Sequence, residues 1–501
     1  MKTATIAAVL VASLATTAVV ACGGTTGAGE PEKDPPVAIE AGPDAGPAVD
    51  SSVPDAPITP TACSPQLVDP KCTTTIAAPT TSAAISKFVT DTAVPLRCGS
   101  EGARAWDLHA LTELYGDNKM FMIGEVHGQN EIGIVSSLVF DQLAQQKRVN
   151  VLGFEMPMDY EAAFQRYIDT GKDSAIEQIL PRLAKNFFGT ILTKSARELA
   201  VKGIPIRVAA VDIPTEPSIA VTAIHAVADK LTTQKSLVLT TLPTAPSFPP
   251  SDSDKAKANS YFDTITNNKT QICTELSAAD CDRLVAMTHA MWAATFSDDA
   301  TVGQSPLWFA RREEAIYYNM KTKLPAATDR MFLHMGAHHT NKAAESAGSR
   351  MAHEYPLTQG KVFSVAPAYG SGSVIFYGQD MNLDASPVSI VDALTSTPAN
   401  PFFVSTLRPS SACVSNPIAL EPDDAGFGQR SDVYDGYIHY GNLTSERRPN
   451  ETTLSREDAV IDGDAKDAKD GAMGAHAAAI LAFRARIVKN ERAQRARLTR
   501  P

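Results

Sequence analysis

Four apolar runs, separated by stretches with helical spacing, constrain this chain more than any other feature. Lys119–Glu125, Asn150–Glu155, Ile204–Asp212 and Arg330–Met335 are apolar nearly throughout. That is the pattern of strands covered by helices on both faces. Between them, Glu131–Gln146 carries Ile134, Leu138, Val139 and Leu143 at helical spacing. Met158–Asp169, Ser174–Leu183, Thr190–Lys202, Leu284–Phe296 and Leu307–Lys323 also read as helices. Such alternation predicts an α/β fold: a central, mainly parallel sheet with right-handed crossovers, flanked by helices. Residues 215–325, between the third and fourth runs, read as a helical insertion. Trp106–Tyr115 reads as a helix ahead of the sheet, and Lys361–Pro367, Ser373–Tyr377 and Tyr434–Tyr440 as further strands.

The strand ends are polar. Met120–Ile123 runs into Gly124-Glu125-Val126-His127-Gly128, where Glu125 and His127, two apart on an extended chain, project from one face. The second run ends at Glu155, the third at Asp212, and the fourth leads into Gly336-Ala337-His338-His339. One such end is ordinary. Four in a parallel sheet share its carboxyl edge, where open α/β folds place their sites. Arg312 and Asn319, seven apart, share a helix face. Arg311-Arg312-Glu313 reads either as a solvated pair or as an arginine aimed into the cleft to stabilise an oxyanion. His334 lies mid-strand and reads as a satisfied interior group. His225 and His289 fall in helical patterns, and His109, His353, His439 and His476 have no supporting context.

The 501 residues carry a net charge of −11, with 44% apolar and 20% charged residues. That suits one large globular domain and argues against general nucleic-acid binding, for which no basic aromatic-interleaved motif is present. At the N-terminus Lys2 precedes an apolar, small-residue core, Ile6–Val20, too short and rich in Ala and Thr for a membrane span. It ends Val19-Val20-Ala21-Cys22, which resembles a bacterial lipobox. The resemblance implies a signal peptide over 1–21, lipid attachment at Cys22, and export to a periplasmic or cell-surface position, the outer membrane being the expected one. Residues 22–75 are a tether, rich in Pro, Ala, Gly and Asp at its start and unable to bury enough surface to fold. Residues 76–445 hold the α/β domain. Residues 446–501 are a polar linker and a basic tail, with seven Lys and Arg against one Glu in Ala482–Pro501.

Six cysteines remain after Cys22, an even number in an exported chain. Cys63–Cys72 and Cys273–Cys281 would close small loops and Cys98–Cys413 would tie the domain's ends, a pairing taken from proximity among 15 connectivities.

The blocks GEVHGQNE, GFE, AVD, RREEAIYYN and GAHHTNK, in that order and spacing, resemble the erythromycin esterase and ChaN-like superfamily over roughly Met120–Tyr440. Position by position, the resemblance implies Glu125, His127, Glu155, Arg312 and His339 as site residues. Glu131, Asp212, Asn319 and His338 are secondary candidates. The single residue between Glu125 and His127 is closer to the haem-binding ChaN-like lipoproteins than to the esterases, which have two. The esterase branch implies hydrolysis of an ester or lactone without a cofactor, by water activated by His127 or His339. Glu125 or Glu155 would orient that imidazole and Arg312 would bind the carbonyl oxygen. The ChaN-like branch implies haem held by a tyrosine or histidine. The Tiki-type members imply a divalent metal, for which His127, Glu155 and His339 are the candidate ligands. No Gly-x-Ser-x-Gly elbow or His-Glu-x-x-His is present, which argues against a serine acyl-enzyme.

Overall fold

A computed structural model describes residues 74–98, 105–127, 129–172, 175–176, 188–244, 250–297, 306–343, 345–370, 372–376, 379–383, 401–406, 412–414, 433–441 and 443. The signal, most of the tether and the basic tail lie outside them, as do Ser174 and the residues from 177 to 183 of the helix expected there. Among the described residues, no helix is long and apolar enough to cross a membrane.

The core is an eight-stranded sheet. Its strands are β1 (Val94–Pro95), β2 (Met120–Glu125), β3 (Val151–Pro157), β4 (Arg207–Asp212), β5 (Met331–Gly336), β6 (Val362–Ala368), β7 (Phe402–Ser405) and β8 (Gly436–His439). Their spatial order is β1-β7-β8-β6-β2-β5-β3-β4. The six strands from β8 to β4 are parallel, and β7 and β1 add antiparallel at one end. The mainly parallel sheet read from the apolar runs is present. The two short strands β1 and β7 carry no such run and were missed. Ser373–Tyr377 does not join the main sheet: Gly372–Phe376 pairs with Gln379–Leu383 in a separate hairpin. Trp106 sits on a two-residue strand, and the helix starts only at His109.

Alternation along each strand sends side chains to two cores. Phe121, Ile123, Leu152, Phe154, Val208, Ala210 and Phe332 pack under α1 (Asn130–Gln145), α2 (Glu161–Thr170) and α3 (Phe188–Val201). Met120, Met122, Val151, Ala209, Val211, Met331 and Leu333 pack on the opposite face. There the covering helices are α4 (Pro217–Ala228), α5 (Asp252–Cys273), α6 (Ala278–Phe296) and α7 (Pro306–Lys323). The segment inserted between β4 and β5 is therefore the helical layer of one face. Ser251 and Asp254 form a capping box that starts α5, and Ser277 caps α6. A Cys273–Cys281 disulfide joins the end of α5 to the first turn of α6. Cys63 and Cys72, and the side chains of Cys98 and Cys413, lie outside the described residues.

Strand β4 is an edge. Its Val208 N–H donates to Gln165 Oε1 at 2.8 Å and its Ala210 N–H to Glu161 Oε2 at 3.2 Å, both acceptors on α2.

After β5 the chain turns through the short helix α8 (Ala337–Thr340) and then α9 (Ala347–His353). Gly348 opens α9 hard against α8. A Cβ there would lie 2.6 Å from His339 O and 3.0 Å from the Thr340 carbonyl carbon. Since both contacts are backbone, Gly348→Ala must push the two helices apart. It should destabilise the protein by about 1–3 kcal/mol, read as a lowered melting temperature with unchanged far-ultraviolet dichroism.

Candidate functional site

The carboxyl ends of β2, β3, β4 and β5 deliver their polar residues to one network. At its centre is Gly336, the last residue of β5. A Cβ at Gly336 would lie 3.3 Å from Glu155 Oε2, 3.4 Å from His339 Cδ2 and 3.5 Å from His127 Cε1. The missing side chain lets these three meet, and the Gly336 N–H donates to Glu155 Oε2 at 2.9 Å.

Arg312, from α7, ties the network together. Its Nε and Nη2 donate to Asp212 Oδ1 and Oδ2 at 3.0 and 2.8 Å, a two-pronged bond. Nη2 also donates to Glu155 Oε1 at 2.6 Å, and Nη1 lies 3.0 Å from His339 Nε2. His339 Nε2 is also 3.3 Å from Glu155 Oε1. On its other side His339 Nδ1 makes a short bond to Glu313 Oε1, while Glu313 Oε2 accepts the Ala347 N–H at 2.8 Å. Phe309 stacks on the His339 ring, with centroids 5.8 Å apart. His127 Nδ1 bonds Glu125 Oε1 at 2.8 Å, and its Nε2 stands 4.0 Å from Glu155 Oε2. Glu155 thus lies between two imidazoles, each held from behind by its own carboxylate.

The candidates divide accordingly. Glu125, His127, Glu155, Asp212, Arg312 and His339 come together. His338, next in chain to His339, packs edge-on against Phe309 instead, with centroids 4.6 Å apart. Asn319 is fully buried and donates to the Val211 carbonyl at 3.0 Å, holding the end of β4 from α7. Glu131 lies in the first turn of α1, where its charge reaches the Tyr440 phenol. Two members were not anticipated as such. Glu313 is 1% exposed and belongs to the network, not to a solvated face. His334 is a buried interior group as expected, yet its Nε2 lies 3.2 Å from Glu125 Oε2.

Four carboxylates face one guanidinium and three imidazoles, and two of the imidazoles, His127 and His339, are drawn to their charged form. Burial opposes a charge on His127, but Glu125 and Glu155 outweigh it and raise the imidazole to about 9. Burial opposes a charge on His339 too, and Glu313 and Glu155 raise it to about 10. Burial would push Glu155 up, but His339, His127 and Arg312 hold it well below the usual carboxylate range. Glu125 and Glu313 are held down in the same way against burial, chiefly by His127 and His339 respectively. Burial lowers His338.

Among the described residues, the one grouping of potential metal donors is Glu125, His127 and Glu155, with donor atoms within 4.8 Å of one another. These donors are already committed: Glu125 to His127, and Glu155 to Arg312 and the Gly336 N–H. His339, in the expected ligand set, turns its Nε2 to the Arg312 guanidinium, which repels a cation. As arranged, the donors are engaged with one another, with Arg312 and with the Gly336 N–H.

No family model and no curated protein matches the chain. Solved structures do. A succinoglycan biosynthesis protein superposes with a TM-score of 0.53 at 13% identity over 74% of this chain and all of its own. A Bacillus cereus protein gives 0.52 at 15% identity over 74% of this chain and all of its own. An erythromycin esterase, a mutant in an open conformation, gives 0.50 at 11% identity over 69% of this chain and 96% of its own. The chain has the erythromycin esterase-like fold. At these identities the likeness is one of fold.

The raised histidines and lowered carboxylates predict a two-sided stability profile. A histidine at about 9 or 10 when folded and about 6.5 when unfolded stabilises fully below about 6.5 and loses that contribution as pH rises through 9 to 10. The lowered carboxylates contribute above about 4.3 and lose it as pH falls through their folded values. Melting temperature should therefore peak between about pH 5 and 6.5. In His339→Gln the alkaline limb should flatten.

Proposed function

We propose that the protein is an exported, lipid-anchored hydrolase of an ester or lactone, with His127 as the general base for water. One observation carries this choice of base. His127 reaches solvent, its side chain being 36% exposed, while its Nδ1 is pinned by a buried carboxylate. His339, the other candidate, is 5% exposed and enclosed by Glu313, Glu155, Arg312 and Phe309. Lipid anchoring rests on Val19-Val20-Ala21-Cys22 in the sequence.

In the reaction His127 Nε2 takes a proton from water as the water oxygen bonds to the carbonyl carbon. The π-electron pair moves to the carbonyl oxygen. When that pair returns, the bond to the alkoxy oxygen breaks and the leaving alkoxide takes the proton from His127, giving acid and alcohol. Glu125 holds the imidazole and offsets its charge, as the third member of a triad does. Glu155 stabilises the same imidazolium from the cleft side.

Arg312 has five N–H groups, and the bonds to Asp212 and Glu155 engage the three on Nε and Nη2. An Nη1–H is the donor for the developing oxyanion. This narrows the expected role: Arg312 serves first to hold Glu155 and His339.

Because the base must be neutral, kcat/KM should rise with pH to a plateau above about 9. On a panel of activated esters and lactones, with and without chelator, the full chain should turn over irrespective of chelation. His127→Ala should lose at least about 100-fold in kcat with an unchanged melting temperature. Retained turnover in His127→Ala, or its abolition by chelator, would overturn the assignment.

A further inference from the structure

We propose that His334 and Ser136 are positioning residues: they lock the Glu125 carboxylate in one orientation and thereby fix which nitrogen of His127 carries the proton. This rests on the reading of His127 as the base.

The argument follows hydrogen atoms. Ser136 lies on α1, fully buried, with its hydroxyl 2.7 Å from the Ile132 carbonyl and 2.9 Å from His334 Nδ1. In the tautomer with the hydrogen on Nε2, Nδ1 accepts from that hydroxyl, and a flipped ring would lose the contact. Nε2 lies 3.2 Å from Glu125 Oε2, so its N–H faces the carboxylate.

The other oxygen, Glu125 Oε1, takes His127 Nδ1 at 2.8 Å. With each oxygen held by a different imidazole, the carboxylate has no second rotamer open to it. His127 Nδ1 must remain the N–H nitrogen, which leaves Nε2 for the proton of water. Outer partners of this kind fix tautomer and ring orientation in metal-bound histidines, where losing one costs about 10–100-fold. Here a carboxylate and a third histidine supply the same constraint.

The fold makes the arrangement cheap. Ile123 of β2 pairs with His334 of β5, so Glu125 and His334 rise from neighbouring parallel strands toward α1, where Ser136 meets them. His334 is 0% exposed and has no route to substrate, so its effect passes through Glu125.

The test uses the full chain with 15N-labelled histidine. In the wild type, the His127 Nδ1–H, identified by its loss in His127→Asn, should exchange slowly with solvent. In His334→Leu it should exchange at least tenfold faster. On whichever ester the panel shows to be turned over, kcat should fall about 10–100-fold with KM within twofold. His334→Gln, whose amide can still donate to Glu125, should recover most of both. Ser136→Ala leaves the His334 ring in place without its anchor and should give a smaller loss of the same kind. It also serves where His334→Leu does not fold.

Unchanged Nδ1–H exchange and kcat in a folded His334→Leu, or equal losses in His334→Gln and His334→Leu, would overturn the proposal. If the wild type hydrolyses nothing on the panel, the hydrolase reading falls. The exchange measurement still decides whether His334 fixes His127.

Discussion

The grip of Arg312 on Asp212, Glu155 and His339 is the interaction on which the rest of the site depends. Buried carboxylates at neighbouring strand ends repel one another and lose their water, a cost no isolated pair repays. A guanidinium placed between them offsets both effects, and its planar fork matches the Asp212 carboxylate in geometry as well as charge. A lysine could neutralise the site but could not reach two strand ends and α8 at fixed angles. Since α7 supplies Arg312, Glu313 and Asn319, one helix of the layer between β4 and β5 sets the positions of groups carried by β3, β4 and α8.

The two dyads differ in what surrounds them more than in their chemistry. Each pairs an imidazole with a carboxylate, and each faces Glu155. His339 has an aromatic lid and a cation against it, whereas His127 lies at the rim beside Glu125 and Glu155. A proton on His339 therefore stabilises the carboxylates around it, and one on His127 can be exchanged with the cleft. Burial thus places two like-paired imidazoles in different surroundings, one enclosed and one reaching solvent.

Much of this was legible in the chain. Apolar runs ending in Glu125, Glu155, Asp212 and the His338-His339 pair marked both the parallel strands and the edge where the site forms, because a strand buried on both faces accommodates polar groups most readily at its ends. What was missed had weaker local signals. β1 and β7 are too short to show a run, and their pairing is set by the partner strands. Glu313 entered the sequence reading only beside Arg312, with a solvated pair as one of two alternatives. Its spacing to Ile316 and Met320, three and seven residues on, places it on the buried face of α7 and was the available clue. For His334, position within an apolar run correctly indicated burial. Nothing in one strand could show that the neighbouring strand would bring Glu125 to it.

The edge strand β4 has a consequence outside the chemistry. Its exposed-side amides are taken by Gln165 and Glu161 of the adjacent helix, and Glu161 is itself held by Lys323 at 2.6 Å. A molecule with an open sheet edge risks templating its neighbours through such a margin. Here the margin is already occupied by the molecule's own side chains, so adjoining copies find no row of donors to extend. At high local concentration the sheets would then stay separate units instead of a growing ribbon.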